Sequence, residues 1–214
     1  MLREGTGQLL NTYCEKNEAV KACRELLQEC IARLCECFAQ GGQLLICGNG
    51  GSCADADHIV GELVKAFKIN RPLTAPLARA LQEQSPDGAL LAKKLQGGVP
   101  AINLAAHTSL VTAMINDVGG DYIFAQQVAA YGRPRDVLIG ISTSGNSPDV
   151  LNAGRTAKAK GMCTIGLTGR TGGQMKDLFD AVICVPADST EDIQDLHSKI
   201  YHTLCACMEY EFWG

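Results

Sequence analysis

Five short and almost unbroken apolar runs, separated by stretches of helical periodicity, constrain this chain more than any other feature. They are Gln43–Cys47, Pro100–Ala105, Val137–Ile141, Met162–Leu167 and Ala181–Val185. A strand that is apolar on both sides must be covered on both faces, and strands that alternate with helices pair in parallel. The chain therefore reads as an α/β fold with helices on either side of a parallel sheet. In such sheets small ligands bind beyond the carboxyl ends of the strands, which directs attention to the turns that follow them.

The first forty residues read as helix before the first strand. Val20, Cys23, Leu26, Leu27, Cys30, Ile31, Leu34 and Phe38 keep the spacing of a buried stripe, and Gly41-Gly42 ends it. Helical stretches follow around Ser109–Ile115, Asp121–Tyr131, 148–160 and Gly173–Phe179. A last helix runs from about Thr190 to Phe212, and Ser189 with Asp192 makes a capping box for it. Residues 73–99, bracketed by Pro72, Pro76, Pro86-Asp87-Gly88 and Gly97-Gly98, read as a loop or helical hairpin inserted into one domain that spans 1–214.

Composition excludes several classes. A net charge of −4 with no basic run argues against a nucleic-acid surface. No apolar run approaches the about 18 residues of a membrane span, and Met1-Leu2-Arg3-Glu4-Gly5 lacks the apolar core of a signal peptide, so the expectation is a cytoplasmic chain with no membrane partner. The 11 cysteines are odd in number, include no C-x-x-C pair, and in part (Cys23, Cys30, Cys37) recur along one helix face, as small buried hydrophobes do rather than disulfides or a zinc framework. Cys53, beside a glycine turn, is the candidate reactive thiol.

Two turns carry donors. Ser142-Thr143-Ser144-Gly145-Asn146-Ser147 lies between an apolar strand and a helix that opens at Pro148. Unpaired N–H groups and the dipole at a helix start suit a phosphate, the hydroxyls of Ser142, Thr143, Ser144 and Ser147 add donors, and Pro fits the first helical position. Gly48-Asn49-Gly50-Gly51-Ser52 opens a second helix in the same way. It lacks the third glycine of a dinucleotide fingerprint, and the chain has no G-x-x-x-x-G-K-[ST] loop. Two donor-rich turns on one sheet edge point to a phosphorylated small molecule.

Ionisable groups cluster on two of the helices. His58 and Glu62 are four apart on the helix that follows the glycine turn and share a face. On the last helix Gln194 and His202, eight apart and roughly 80° around the axis, converge on one side, with His197 turned away.

Together these residues resemble the sugar-isomerase (SIS) domain family, and more narrowly its phosphoheptose isomerases. The matching segments are GNGGSCADADHIVGEL (48–63), NRP (70–72), IND (115–117), GISTSGNSPDVLNA (140–153), KGMCTIGLTGRTGGQM (160–175) and IQDLHSKIYH (193–202). The resemblance implies a flavodoxin-like, three-layer sandwich with a five-stranded parallel sheet and a long N-terminal helix, in a homotetramer with active sites at subunit interfaces. It implies aldose–ketose isomerisation of sedoheptulose 7-phosphate to D-glycero-D-manno-heptose 7-phosphate through an enediol. By position, Glu62 and His202 would move the proton. Asn49, Gly50, Gly51, Ser52, Asp117, Ser142, Thr143, Ser144, Ser147 and Gln194 would bind substrate, and His58, Glu62, Gln194 and His202 would hold zinc. Two imidazoles, a carboxylate and an amide oxygen suit Zn2+, which as a Lewis acid stabilises an enediolate oxygen, although a Glu62 bound to metal is a weaker base.

Three positions depart from the family. Ala66 stands where Arg is common, with Lys65 beside it; Asp192 stands where Arg precedes the Ile-Gln pair; and the 73–99 segment is additional. The alternatives are an isomerase for another phosphosugar, a sugar-phosphate sensor, or a non-catalytic regulator resembling the family's replication-initiator-associating protein, which lacks the glutamate and the last histidine that this chain keeps.

Overall fold

The computed structural model describes residues 2–214. The apolar runs form β1 (Leu44–Gly48), β2 (Ala101–Asn103), β3 (Val137–Ile141), β4 (Cys163–Thr168) and β5 (Ala181–Cys184), all parallel and ordered β2-β1-β3-β4-β5. Every residue of β1 and β3 is buried, as a sheet covered on both faces requires. Alternate strand residues separate into two cores. Leu44, Ile46, Val137 and Ile139 join one, and Leu45, Cys47 and Leu138 join the other.

The first core is closed by α1 (Glu4–Lys16), α2 (Glu18–Ala22), α3 (Arg24–Ala39), α4 (Gly51–Val64) and α11 (Thr190–Trp213), through Leu10, Leu27, Ile31, Leu34, Ile59, Leu63, Ile200 and Leu204. The second is closed mainly by α8 (Ile123–Tyr131) and α9 (Pro148–Ala159), through Phe124, Val128, Val150 and Leu151. Between α4 and β2 lie α5 (Ala75–Gln84) and α6 (Gly88–Lys94), so the inserted segment is a helical hairpin. Its helices meet at Gly88, where an added Cβ would stand 1.8 Å from the Leu81 carbonyl oxygen. The remaining helices are α7 (Thr108–Asp117), followed by a 3-10 turn at Gly120–Tyr122, and α10 (Met175–Leu178).

The N-terminal region is helical, but it is three helices and not one. Asn17 is extended (φ −150°), and its side-chain oxygen accepts from Ala19 N at 3.0 Å and Val20 N at 3.3 Å, capping α2. The apolar stripe begins at Val20, past this break, and so gives no sign of it. Ser189 caps α11, with Asp192 N donating to Ser189 Oγ at 3.1 Å, but the box is not reciprocal, since the Asp192 carboxylate accepts from the Ser189 hydroxyl (2.6 Å) in place of its backbone N–H.

The strand order reverses between β1 and β3, and Gly48 stands opposite Ile141, so the glycine turn and the hydroxyl turn emerge side by side at the switch point. From there α4 runs back along the sheet, and α11 packs along it in the same direction: Gln194 lies over Gly51, and further along His202 reaches Glu62.

A buried ion pair holds the chain beyond α4. Arg71, 1% exposed, donates through Nε to Glu209 Oε1 (2.7 Å), through Nη1 to Leu63 O (2.8 Å) and through Nη2 to Glu62 O (2.8 Å). Glu209 in turn accepts from the N–H groups of Phe67 (2.8 Å), Lys68 (2.8 Å) and Ile69 (3.1 Å). Burial opposes its ionisation, but these donors and the guanidinium prevail and hold the carboxyl below its usual range.

Cys23, Cys30 and Cys37 are all buried in the first core, and burial pushes their thiols up to about 11, 12 and 12. Among the described residues no helix is long and apolar enough to cross a membrane.

Candidate active site

At the switch point the hydroxyl turn is held in shape by its own groups. Ser142 Oγ and Ser147 Oγ are 2.9 Å apart, and Ser147 N donates to Ser142 Oγ at 3.4 Å, while Asn146 N donates to Ser144 Oγ at 3.2 Å. Gly145 has φ +67°, and a Cβ there would meet Gly172 O at 2.1 Å, so only glycine fits between this turn and its neighbour. Asn49 of the glycine turn donates to both oxygens of Asp149 (3.1 and 2.9 Å), joining the two turns. Ser142 and Ser52 are buried, Thr143 and Ser147 are half-buried, and Asn49, Gly50, Gly51 and Ser144 are exposed. Asp117 closes α7 on the surface and accepts from its neighbour Asn116 at 2.8 Å.

A second cluster lies at the other end of α4. The four-residue spacing brings His58 Nε2 to 3.1 Å from Glu62 Oε1, and His202 Nε2 comes in from α11 to 3.3 Å from the same oxygen. The two imidazole Nε2 atoms are 3.5 Å apart. Among the described residues this is the cluster of ligand-type side chains compact enough to hold a metal ion, its donor atoms all within 4.8 Å. Glu62 is 5% exposed, and its second oxygen, Oε2, is buried without a hydrogen-bond partner. Leaving a carboxylate oxygen so is costly unless a proton, a cation or a ligand completes it, and two nitrogen donors with one oxygen donor suit zinc.

Electrostatics draw both proton-transfer candidates toward neutrality. Burial raises the Glu62 carboxyl, opposed by the Cys205 thiol and by His58. Burial lowers the His202 imidazole, helped by the charges of His58, Lys199 and Lys68, which leaves it uncharged at neutral pH. Beside His202 opens a cavity of about 340 Å³ lined by Tyr13, Lys16, Asn17, Val20, Phe67, Lys68, Lys199 and His202. The Phe67 ring stacks on His202 with centroids 5.9 Å apart, and the Lys68 ammonium bonds the Tyr13 hydroxyl.

Gln194 does not join the cluster in its own chain. Its amide lies over Gly51, and eight residues of helix carry it about 12 Å from His202 along α11. The angular convergence read from the sequence is cancelled by axial distance. The same rise places Ser52 about 15 Å along α4 from Glu62, farther than an extended seven-carbon chain spans from carbonyl to phosphate. His197 is fully buried and apart from the others, and burial lowers it to about 4.

Sequence reasoning missed Lys16, Lys68 and Lys199, which meet at the cavity from three separate helices or loops and share no motif. It also missed that Lys65, next to the absent arginine, turns its ammonium to the carbonyl of Ala66 (3.3 Å) and does not line the cavity. Tyr201 carried one signal, since it immediately precedes His202.

The family model described as SIS domain matches residues 97–209, and a second SIS-domain model matches residues 15–96. The phosphoheptose isomerase of Helicobacter pylori is 40% identical over 91% of this chain and 88% of its own. Among solved structures, the phosphoheptose isomerase of Neisseria gonorrhoeae superimposes with TM-score 0.73 at 34% identity, covering 91% of each chain. That of Francisella tularensis gives 0.74 at 31% identity over 94% of this chain and 96% of the other.

Proposed function

The chain belongs to the SIS-domain family and, within it, to the phosphoheptose isomerases, and on that footing we propose that it interconverts sedoheptulose 7-phosphate and D-glycero-D-manno-heptose 7-phosphate in the cytoplasm. The observation that carries this reading is the Glu62 carboxylate, buried, incompletely partnered and bracketed by two imidazoles.

Moving a proton between adjacent carbons needs a base at C1, a proton donor at the carbonyl oxygen and an anchor for the far end of the sugar. Glu62 takes the C1 proton, through the Oε1 that faces the histidines, and returns it at C2. His202 Nε2 exchanges the proton of the neighbouring oxygen, a role open to an imidazole held in its uncharged form. The hydroxyl turn, with Ser52, Ser142, Thr143, Ser144 and Ser147, binds the phosphate, while Asn49, Gly50, Gly51 and Asp117 contact the sugar. His58, Glu62 and His202 would hold zinc, which when bound supplies Lewis-acid polarisation of the sugar oxygens.

The roughly 15 Å between Ser52 and Glu62 along α4 supports a site shared between two chains. One subunit supplies His58, Glu62 and His202, and its partner supplies the phosphate turn together with Gln194 as substrate contact and fourth metal donor. The assembly is a closed homo-oligomer, a homotetramer by family. A chain that keeps both Glu62 and His202 is read as an enzyme in preference to a regulator.

Incubation with sedoheptulose 7-phosphate in D2O, followed by proton NMR, tests the activity: aldose anomeric signals and deuterium uptake are expected, and the absence of both rejects it. Complementation tests the shared site. Glu62→Gln and the double variant Thr143→Ala/Ser144→Ala should each be inactive alone. Refolded together they should regain activity in roughly a quarter of the sites, those that pair one intact half from each. No recovery in verified mixed oligomers would place the whole site in a single chain.

A further inference from the structure

Three helices of this chain bury almost nothing. α5 has no buried residue, α6 has only Gly88 and α7 has only Met114. α5 and α6 pack chiefly on each other. Helices of 10 and 7 residues are too short to hold their shape alone, so such a pair needs a surface to close on.

The apolar groups these helices expose are not scattered. Among the described residues ten large apolar side chains are exposed, and seven of them fall into two sets. Leu77, Leu90, Leu91 and Leu95 lie on the hairpin, 43–57% exposed. Ile115 and Val118 at the end of α7, with Tyr122 of the 3-10 turn, are 49–56% exposed. Single apolar residues are ordinary on a soluble surface, whereas gathered ones mark a contact. The two sets also differ in charge. α6 carries Lys93 and Lys94 and no acid, and residues 108–122 hold Asp117 and Asp121 and no lysine or arginine. Among the described residues none of these four charges is in an ion pair.

Both sets flank the halves of the shared site. The stem of the hairpin is tied to the end of α4 that carries Glu62. Gly97 N donates to Arg71 O (2.7 Å), Val99 N to Leu63 O (3.1 Å) and Ala66 N to Gln96 Oε1 (3.0 Å). The end of α7 is tied to the helix that the hydroxyl turn opens, since Asn152 of α9 donates to Asp121 O at 3.0 Å. Bringing the Glu62 half of one chain to the phosphate half of another therefore brings a hairpin toward an α7. We propose that the hairpin is a clasp between copies of this chain, its leucines and lysines seated on the apolar, acidic end of α7 in the second copy. The geometry rests on the shared-site reading.

The test uses the full-length protein with Leu91→Glu on the hairpin and Ile115→Glu on α7. Both positions are exposed in the single chain, so circular dichroism of each variant should match wild type. In sedimentation at micromolar concentration wild type should run as an oligomer. Each variant should dissociate to smaller species, its dissociation constant raised by at least about tenfold. A mixture discriminates further. In a pair related by two-fold symmetry the hairpin meets α7 twice. A Leu91→Glu chain paired with an Ile115→Glu chain keeps one contact intact and confines both changes to the other, so equal mixing should recover assembly that neither variant keeps alone. A monomeric wild type overturns the proposal, as does unchanged assembly in either variant. Weakened variants that do not recover on mixing place the hairpin on another surface and overturn its pairing with α7. Recovery on mixing, without activity complementation between Glu62→Gln and Thr143→Ala/Ser144→Ala, upholds the clasp and rejects the shared site alone.

Discussion

Replacing Glu62 by Gln is expected to lower kcat/KM for the heptose phosphate by between about 100- and 10,000-fold, the span that a positioned acid–base group contributes. The substitution keeps the volume and one oxygen of the side chain and removes the charge between the two imidazoles, so circular dichroism and melting temperature should stay close to wild type. The loss should fall on kcat, because the turn proposed to bind the phosphate is untouched. Deuterium uptake from D2O should vanish in parallel, because the proposal assigns removal of the carbon-bound proton to the same carboxylate. A variant that keeps more than a tenth of the wild-type rate would remove Glu62 from proton transfer and leave His202 to be tested in its place.

The second large effect is on stability. Arg71→Met should cost about 3–5 kcal/mol, because it strands the Glu209 carboxylate in the core without its counter-charge. For a chain of this length that lowers the melting temperature by roughly 6–20 °C. A double variant separates two accounts of the pair. If Arg71 and Glu209 served only each other, Arg71→Met with Glu209→Leu would regain the stability, as apolar replacements of buried ion pairs often do. Here the pair also satisfies the carbonyls of Glu62 and Leu63 and the N–H groups of Phe67, Lys68 and Ile69. The double variant is therefore expected to stay destabilised, and recovery in a thermal melt would show that those backbone groups find other partners.

The sheet was legible because each strand is a short apolar run set between stretches of helical periodicity, a pattern that survives without tertiary context. The hydroxyl turn was legible for a related reason, since its chemistry is written in consecutive residues. The i,i+4 pair of His58 and Glu62 met as expected. What escaped was whatever depends on distance along an axis or across the chain. Gln194 and His202 share a side of α11, but a helical-wheel argument carries no axial coordinate. The break at Asn17 was missed because the stripe read from the sequence starts only at Val20, although an asparagine two or three residues before the N–H groups it caps was a visible sign. Arg71 sits in the polar stretch Lys68-Ile69-Asn70-Arg71 and reads as solvent-exposed, and nothing local announces a partner 138 positions away. Lys68 is equally silent, because the cavity it lines exists only once α1, α11 and the loop after α4 come together.

The buried cysteines give the folded chain an internal recorder of its own opening. Alkylating reagents attack the thiolate, and the thiols of Cys23, Cys30 and Cys37, pushed up to about 11, 12 and 12, are both occluded and almost wholly protonated in the native state. Each becomes reactive only when the segment that carries it detaches, so labelling under native conditions counts openings and not collisions with the surface. Cys205 and Cys207 on α11 and Cys47 on β1 are buried as well, which spreads such recorders over the N-terminal helices, the last helix and the sheet. Mass spectrometry of the modified peptides would thus rank these elements by how often each lets go, without a single engineered probe.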